Sequence, residues 1–257
     1  MNDPFSQHGV NHLSPSAINE FIANPQRWLL HVSGYRDQIG IPAMWRGIAL
    51  DKALTRSCYE PTISDQQILQ WAKDEFDDRQ EQAADSGLPF SYDKSAKERD
   101  ALDRYLLPAI PHFRALGCPI ASQKKIKLEF EELPVPIIGY LDLLYDGVVR
   151  DIKSVNRLPS KVPAATCRQL AVYAAAEECL PVIDYVHATL KQSQVVVMPV
   201  PDREQHLKVV RRAAQNMMNL LAYSPDIQRV ADLLIPDLDD WRWSDGEREA
   251  AKQLWRI

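Results

Sequence analysis

The chain has 257 residues, 46% hydrophobic and 25% charged, with a formal net charge of −5 at pH 7. Such a chain buries a sizeable core and suits one globular domain. The mild acidity speaks against a protein that coats nucleic acid through a uniformly basic surface. No apolar run approaches the roughly 18 residues of a membrane span. The start Met1-Asn2-Asp3-Pro4 also lacks the basic and apolar regions of an export signal. A cytoplasmic protein without membrane contact is therefore expected, its four scattered cysteines reduced.

Ser14 suits a helix cap with Pro15 at the first position, and helical periodicity continues over 16–31. A second helix is predicted over 45–57. Residues 65–84 place Ile68, Leu69, Trp71, Ala72 and Phe76 at the spacing of an amphipathic helix. Ser86-Gly87-Leu88-Pro89-Phe90 breaks that pattern, and 94–116 is helical again despite Pro108 and Pro111. Strands dominate 125–151, where Ile126-Lys127-Leu128-Glu129-Phe130 alternates and 137–144 enters the core. Beyond them the chain predicts a helix over 163–179, strands over 185–190 and 194–200, and helices over 202–222 and 246–256. This order implies an α/β fold, a central mixed β-sheet with one hairpin at its heart, flanked by helices. Within one domain, the layout is a helical elaboration (about 1–120), a core (about 121–200) and a C-terminal helical segment (about 201–257).

The hairpin carries the chemistry. Two apolar runs flank Asp146-Gly147, a dipeptide suited to a tight turn. Asp151 and Lys153 lie two apart and share a strand face, while Ile152 turns into the core. The hairpin brings Asp142 across from Asp151, so two carboxylates and an ammonium converge. Hard oxygen donors of this kind suit Mg²⁺ or Mn²⁺, and a nearby lysine can orient a metal-bound water. Asp-x-Lys on a solvated strand is commonly only a surface ion pair. Here Leu141, Leu143, Leu144, Val148, Val149 and Ile152 make both strands look buried, where charge is seldom idle.

Gln169 and Tyr173, four apart, share one helical face. Glu129 is a further carboxylate placed to reach a metal or its water. From Arg150 to Arg168 the charged residues are five basic (Arg150, Lys153, Arg157, Lys161, Arg168) and one acidic (Asp151), with Lys124, Lys125 and Lys127 upstream. A basic cleft on an acidic body suits local DNA binding, the alternative being ordinary solvated faces.

Four blocks in order, together, resemble the PD-(D/E)XK nuclease superfamily and its RecB-like exonuclease branch, and the acidic, Trp-rich segment from Pro236 to Asp245 resembles the tails of phage-type members. The four blocks are Leu13-Ser14-Pro15-Ser16 with Asn24-Pro25-Gln26-Arg27-Trp28; Arg46-Gly47-Ile48-Ala49-Leu50-Asp51; the segment from Gly139 to Lys153; and Gln169-Leu170-Ala171-Val172-Tyr173. The resemblance implies a restriction-endonuclease-like core. It implies catalysis by Asp142, Asp151, Lys153, Gln169 and Tyr173. It further implies Mg²⁺ or Mn²⁺ on Asp142, Asp151, the Ile152 carbonyl and Asp51, and DNA held by Ser154, Arg157, Lys161 and Arg168. The implied activity is metal-dependent exonucleolytic cleavage of DNA in recombination or end processing, beside a single-strand-annealing or single-strand-binding protein. A structure-specific endonuclease and a catalytically silent DNA-binding recombination partner are the alternatives.

The departures also carry expectations. Asn24 stands where iron–sulfur members of the branch have a cysteine, and Asp51 where the branch has histidine. Cys58, Cys118, Cys167 and Cys179 form no Cys-x-x-Cys pair, so no cluster is expected and the four are read as small buried hydrophobes. Trp241 and Trp243, in an acidic segment, are expected to pack on the body.

Overall fold

Prolines and their capping neighbours set where the N-terminal helices begin. In a computed structural model describing residues 3–257, α1 (Pro4–Gln7) is capped by Asp3 and α2 (Pro15–Ala23) by Ser14, whose hydroxyl accepts from the Ala17 N–H. Met1 and Asn2 of the N-terminal reading lie outside the described residues. The single helix expected over 16–31 is two, because Pro25 cannot continue α2 and pushes Asn24 out of the helical region, to φ −157°. Asn24 then caps α3 (Pro25–Val32) by accepting from the Arg27 N–H.

Three longer helices follow. They are α4 (Pro42–Tyr59), α5 (Asp65–Asp85) behind a Ser64/Gln67 capping box, and α6 (Tyr92–Leu116), which runs through Pro108 and Pro111 and stops at Gly117, φ +78°. The sheet comprises β1 (Ala121–Leu128), β2 (Ile137–Tyr145), β3 (Val148–Val155), β4 (Leu180–Ala188) and β5 (Ser193–Pro199), in spatial order β1-β2-β3-β4-β5. All neighbours are antiparallel except β3 and β4, which run parallel and are joined across the sheet by α7 (Ala164–Ala176). The fold is thus α/β with a mixed five-stranded sheet flanked by helices, as the order of elements implies.

Strand β4 begins five residues earlier than the expected 185–190, and β1 begins before the expected alternation. Asp184 conceals β4: a carboxylate within an apolar run speaks against a buried strand. It is fully buried nonetheless, because Arg150 donates two bonds to it from β3 (2.8 and 2.9 Å) and His112 of α6 stands 3.2 Å away.

The chain ends in α8 (Arg203–Leu221), α9 (Ile227–Ala231) and α10 (Asp245–Trp255). Two apolar layers sandwich the sheet. One gathers Ile18, Leu29, Leu170, Val172, Met217 and Trp255 against Ile137, Val149 and Ile183; the other gathers Leu50, Leu54, Phe76, Leu106 and Phe113 against Leu143, Ile152 and Val186. Among the described residues, no helix is long and apolar enough to cross a membrane.

Candidate active site

The β2–β3 hairpin turns on Asp146-Gly147, with Tyr145 paired to Val148 and Gly147 at φ +66°, where a side chain would be strained. The ladder runs only to Leu143–Arg150. The next pair in register is Asp142 and Asp151, and there β3 parts from β2 while staying paired with β4. The opening is filled by side chains: Asp142 Oδ2 accepts from the Ile152 N–H at 2.9 Å. Asp151, 1% exposed, has Lys153 Nζ at 2.9 Å from Oδ1 and 2.7 Å from Oδ2. The expected convergence of Asp142, Asp151 and Lys153 is therefore present.

Helix α7 closes one side. The Gln169 amide donates to the Tyr173 hydroxyl (2.9 Å) and reaches Asp151 Oδ1 at 3.5 Å. Tyr173 lies so close to β2 that a β-carbon at Gly139 would stand 2.6 Å from its ring, which accounts for glycine at the head of the hairpin motif. Asp51 arrives from α4. Its Oδ2 accepts from the Gln123 amide at 2.6 Å, and the same nitrogen lies 3.3 Å from Asp142 Oδ1. Three aspartates from three elements thus share one small volume.

Like charges and burial act on all three. Burial first and Asp142 second push the Asp151 carboxyl up to about 7. Burial and Asp151 push Asp51 to about 6, and burial and Asp51 push Asp142 to about 6. Burial works to lower the Lys153 pKa, but the facing Asp151 and Asp142 overcome it and hold the ammonium above its usual value. Asp51 Oδ1 is buried without a hydrogen-bond donor, and Asp151 Oδ2 is buried with only the Lys153 ammonium beside it. Hard, crowded oxygens with so few donors are the groups a divalent cation would satisfy. Among the described residues no three His, Cys, Asp or Glu side chains form a ready-made metal cage. The donor set fits the open kind of site in which Mg²⁺ takes one or two carboxylates and completes its shell with water and substrate phosphate.

The Ile152 side chain packs among α4–α6, leaving its backbone between Asp151 and Lys153. Ser154 Oγ accepts from Arg46 at 3.3 Å; Arg46 also pairs with Glu98 and lies 4.5 Å over the Tyr105 ring. Arg157 and Lys161 are exposed. Arg168 is half-buried and gives its Nε to Asn19 at 2.6 Å, tying α7 to α2.

Several expectations need correction. Glu129 pairs with Lys127 on the exposed end of the sheet instead of joining the cluster. Lys124 is held by Glu177, so two of the three upstream lysines already face carboxylates. Trp243 packs, 2% exposed, with its indole N–H on the Asp237 carbonyl, but Trp241 is 82% exposed because the turn at 239–242 carries it outward. Cys58, Cys167 and Cys179 are buried, whereas Cys118 is exposed in the loop after α6.

Gln123 is the residue that sequence reasoning missed. It lies in a polar Ser122-Gln123-Lys124-Lys125 run with no apolar alternation to register it. Its φ of +48° falls in the left-handed region, where a β-carbon costs about 1–2 kcal/mol. Backbone strain of this kind concentrates at functional sites.

No match is found among curated proteins. Among solved structures, one described as the crystal structure of SSO0001 is 16% identical, with a TM-score of 0.31 over 39% of this chain and 49% of that one. The chain thus spans about half the length of that structure. A family model for the PD-(D/E)XK nuclease superfamily matches residues 12–242. That stretch runs from the β-bridge at Leu13 to the turn before α10 and takes in all three aspartates, Lys153, Gln123 and α7. The chain belongs to the PD-(D/E)XK nuclease superfamily.

Proposed function

We propose that the protein is a Mg²⁺- or Mn²⁺-dependent deoxyribonuclease, working as an exonuclease of the RecB-like, phage-type kind in recombination or DNA end processing. The observation that carries this reading is the meeting of Asp142, Asp151 and Lys153 where β3 parts from β2, with Gln169 and Tyr173 against them. Asp142, Asp151 and the Ile152 carbonyl would hold the cation, with Asp51 as a further ligand through its donor-free Oδ1. The bound cation supplies Lewis acidity and a water acidic enough to attack a phosphodiester near neutral pH.

The protein's own groups do the rest. Lys153 fixes the Asp151 carboxylate and presents positive charge where the scissile phosphate gains negative charge. Gln169 holds both the Tyr173 hydroxyl and Asp151, so α7 sets the orientation of the carboxylate. Arg157, Lys161 and Arg168 would follow the DNA backbone with Ser154, making binding weaken as salt rises. The exonucleolytic role rests on the four sequence blocks, and a single-strand-annealing or single-strand-binding protein is the partner it calls for.

The test is incubation of end-labelled linear and covalently closed circular DNA with Mg²⁺, Mn²⁺ or a chelator. Metal-dependent loss of the linear substrate alone is expected. Cutting of closed circles would replace the exonuclease by an endonuclease, and cutting in chelator would remove the metal from the account.

A further inference from the structure

Gln123 has two unusual properties in one residue. By register it faces Asp142, and this is the one pair missing from a β1–β2 ladder otherwise continuous from Ala121–Leu144 to Leu128–Ile137. Its left-handed backbone (φ +48°) removes it from that ladder and sends its side chain to the acids. There a single amide nitrogen serves Asp51 Oδ2 at 2.6 Å and Asp142 Oδ1 at 3.3 Å. It stands between carboxylates from two separate elements, where a cation would neutralise both.

Packing does not explain the residue. Gln123 is exposed, and glycine or asparagine would suit the backbone better. What glutamine adds is reach across to α4 and an amide with two chemically opposite ends of nearly equal size. A half-turn about its last side-chain bond exchanges the nitrogen donor for the oxygen acceptor. Facing two carboxylates alone, the nitrogen is the favoured end. Facing a divalent cation held by those carboxylates, the neutral carbonyl oxygen is favoured, and it is a hard donor of the kind Mg²⁺ and Mn²⁺ accept.

We infer that Gln123 is a switching ligand: its amide nitrogen holds Asp51 and Asp142 together in the absence of a cation, and its amide oxygen turns to the cation when one binds. The inference rests on the metal-site reading above and adds a residue that lies outside the four sequence blocks.

The test is calorimetric Mn²⁺ titration of wild type, Gln123→Gly and Gln123→Glu, with thermal melts of each in chelator and in Mn²⁺. Gln123→Gly relaxes the backbone while removing both amide ends. It is expected to melt in chelator within about 3 °C of wild type and to bind Mn²⁺ at least about 10-fold more weakly. Gln123→Glu adds an anionic oxygen beside three aspartates. It is expected to melt lower than wild type in chelator, to bind Mn²⁺ more tightly, and to gain more from it on melting.

Equal or tighter Mn²⁺ binding by Gln123→Gly would overturn the inference, since the amide would then only compete with the cation. Collapse of that variant in chelator would reduce Gln123 to a structural brace, and failure of Gln123→Glu to gain affinity would deny the oxygen its role. Wild type that binds no Mn²⁺ would overturn the metal-site reading itself and the inference with it.

Discussion

Replacing Asp151 by Asn is expected to stabilise the metal-free protein at alkaline pH while destroying its site. Asp151 is 1% exposed, and its carboxyl is raised from 3.8 to about 7 by burial and by Asp142. A carboxyl raised in the fold contributes stability fully present below its unfolded value and lost as pH rises through its folded value. The window is therefore about pH 4 to 7. At 1.36 kcal/mol for each factor of ten, holding Asp151 ionised at pH 8 costs up to about 4 kcal/mol. The three aspartates titrate together, and Asn must still place an amide among acceptors, so we take about half, or about 2 kcal/mol. For a chain of this size that corresponds to about 4–8 °C. The assay is thermal melting of wild type and Asp151→Asn in chelator at pH 8 and pH 4. The variant should melt higher at pH 8 and level with wild type at pH 4. A variant that melts lower at pH 8, or whose advantage is the same at both pH values, would refute the reasoning that these carboxylates are crowded and buried.

Gly139→Ala drives a methyl group into the Tyr173 ring, 2.6 Å from an ideal β-carbon. It should cost about 1–3 kcal/mol in urea unfolding, and it should lower the cleavage rate by moving Gln169 off Asp151. The Glu247 carboxyl is 3% exposed and is held down at about 2: burial opposes this, but Arg27, the Ser244 N–H and His31 outweigh it. Glu247→Ala should therefore cost about 2–3 kcal/mol at pH 7 by leaving Arg27 and His31 without their α10 partner. It should also remove the loss of stability that wild type shows as pH falls from about 4.5 towards 2, measured as melting temperature against pH.

What was legible in the sequence was local. The hairpin could be read because two apolar runs flank Asp146-Gly147, and a dipeptide determines a tight turn without help from the rest of the chain. Ser14 with Pro15 announced α2 for the same reason. What escaped depended on distant partners. Strand β4 looked interrupted at Asp184 until Arg150 and His112 arrived to satisfy it. The upstream lysines looked like a cationic patch until Glu177 and Glu129 were beside them. Asn24-Pro25 marks the break between α2 and α3 locally, but the apolar periodicity continues through it and masks it. In the site, Asp142, Asp151 and Lys153 share one supersecondary unit, and their meeting follows from strand alternation. Asp51 comes from a helix some ninety residues earlier in the chain, and only resemblance nominated it. Gln123 reaches both by a backbone conformation that no propensity favours.

The central claim is that Asp151 and Lys153 act on DNA through a bound divalent cation. It is tested most directly by the cleavage rate of end-labelled linear duplex DNA in Mn²⁺ by purified Asp151→Asn and Lys153→Ala, each shown folded by its melting transition. The account predicts a loss of at least about 100-fold in both, with no residual activity that depends on Mn²⁺. Cleavage at the wild-type rate by either folded variant would contradict it.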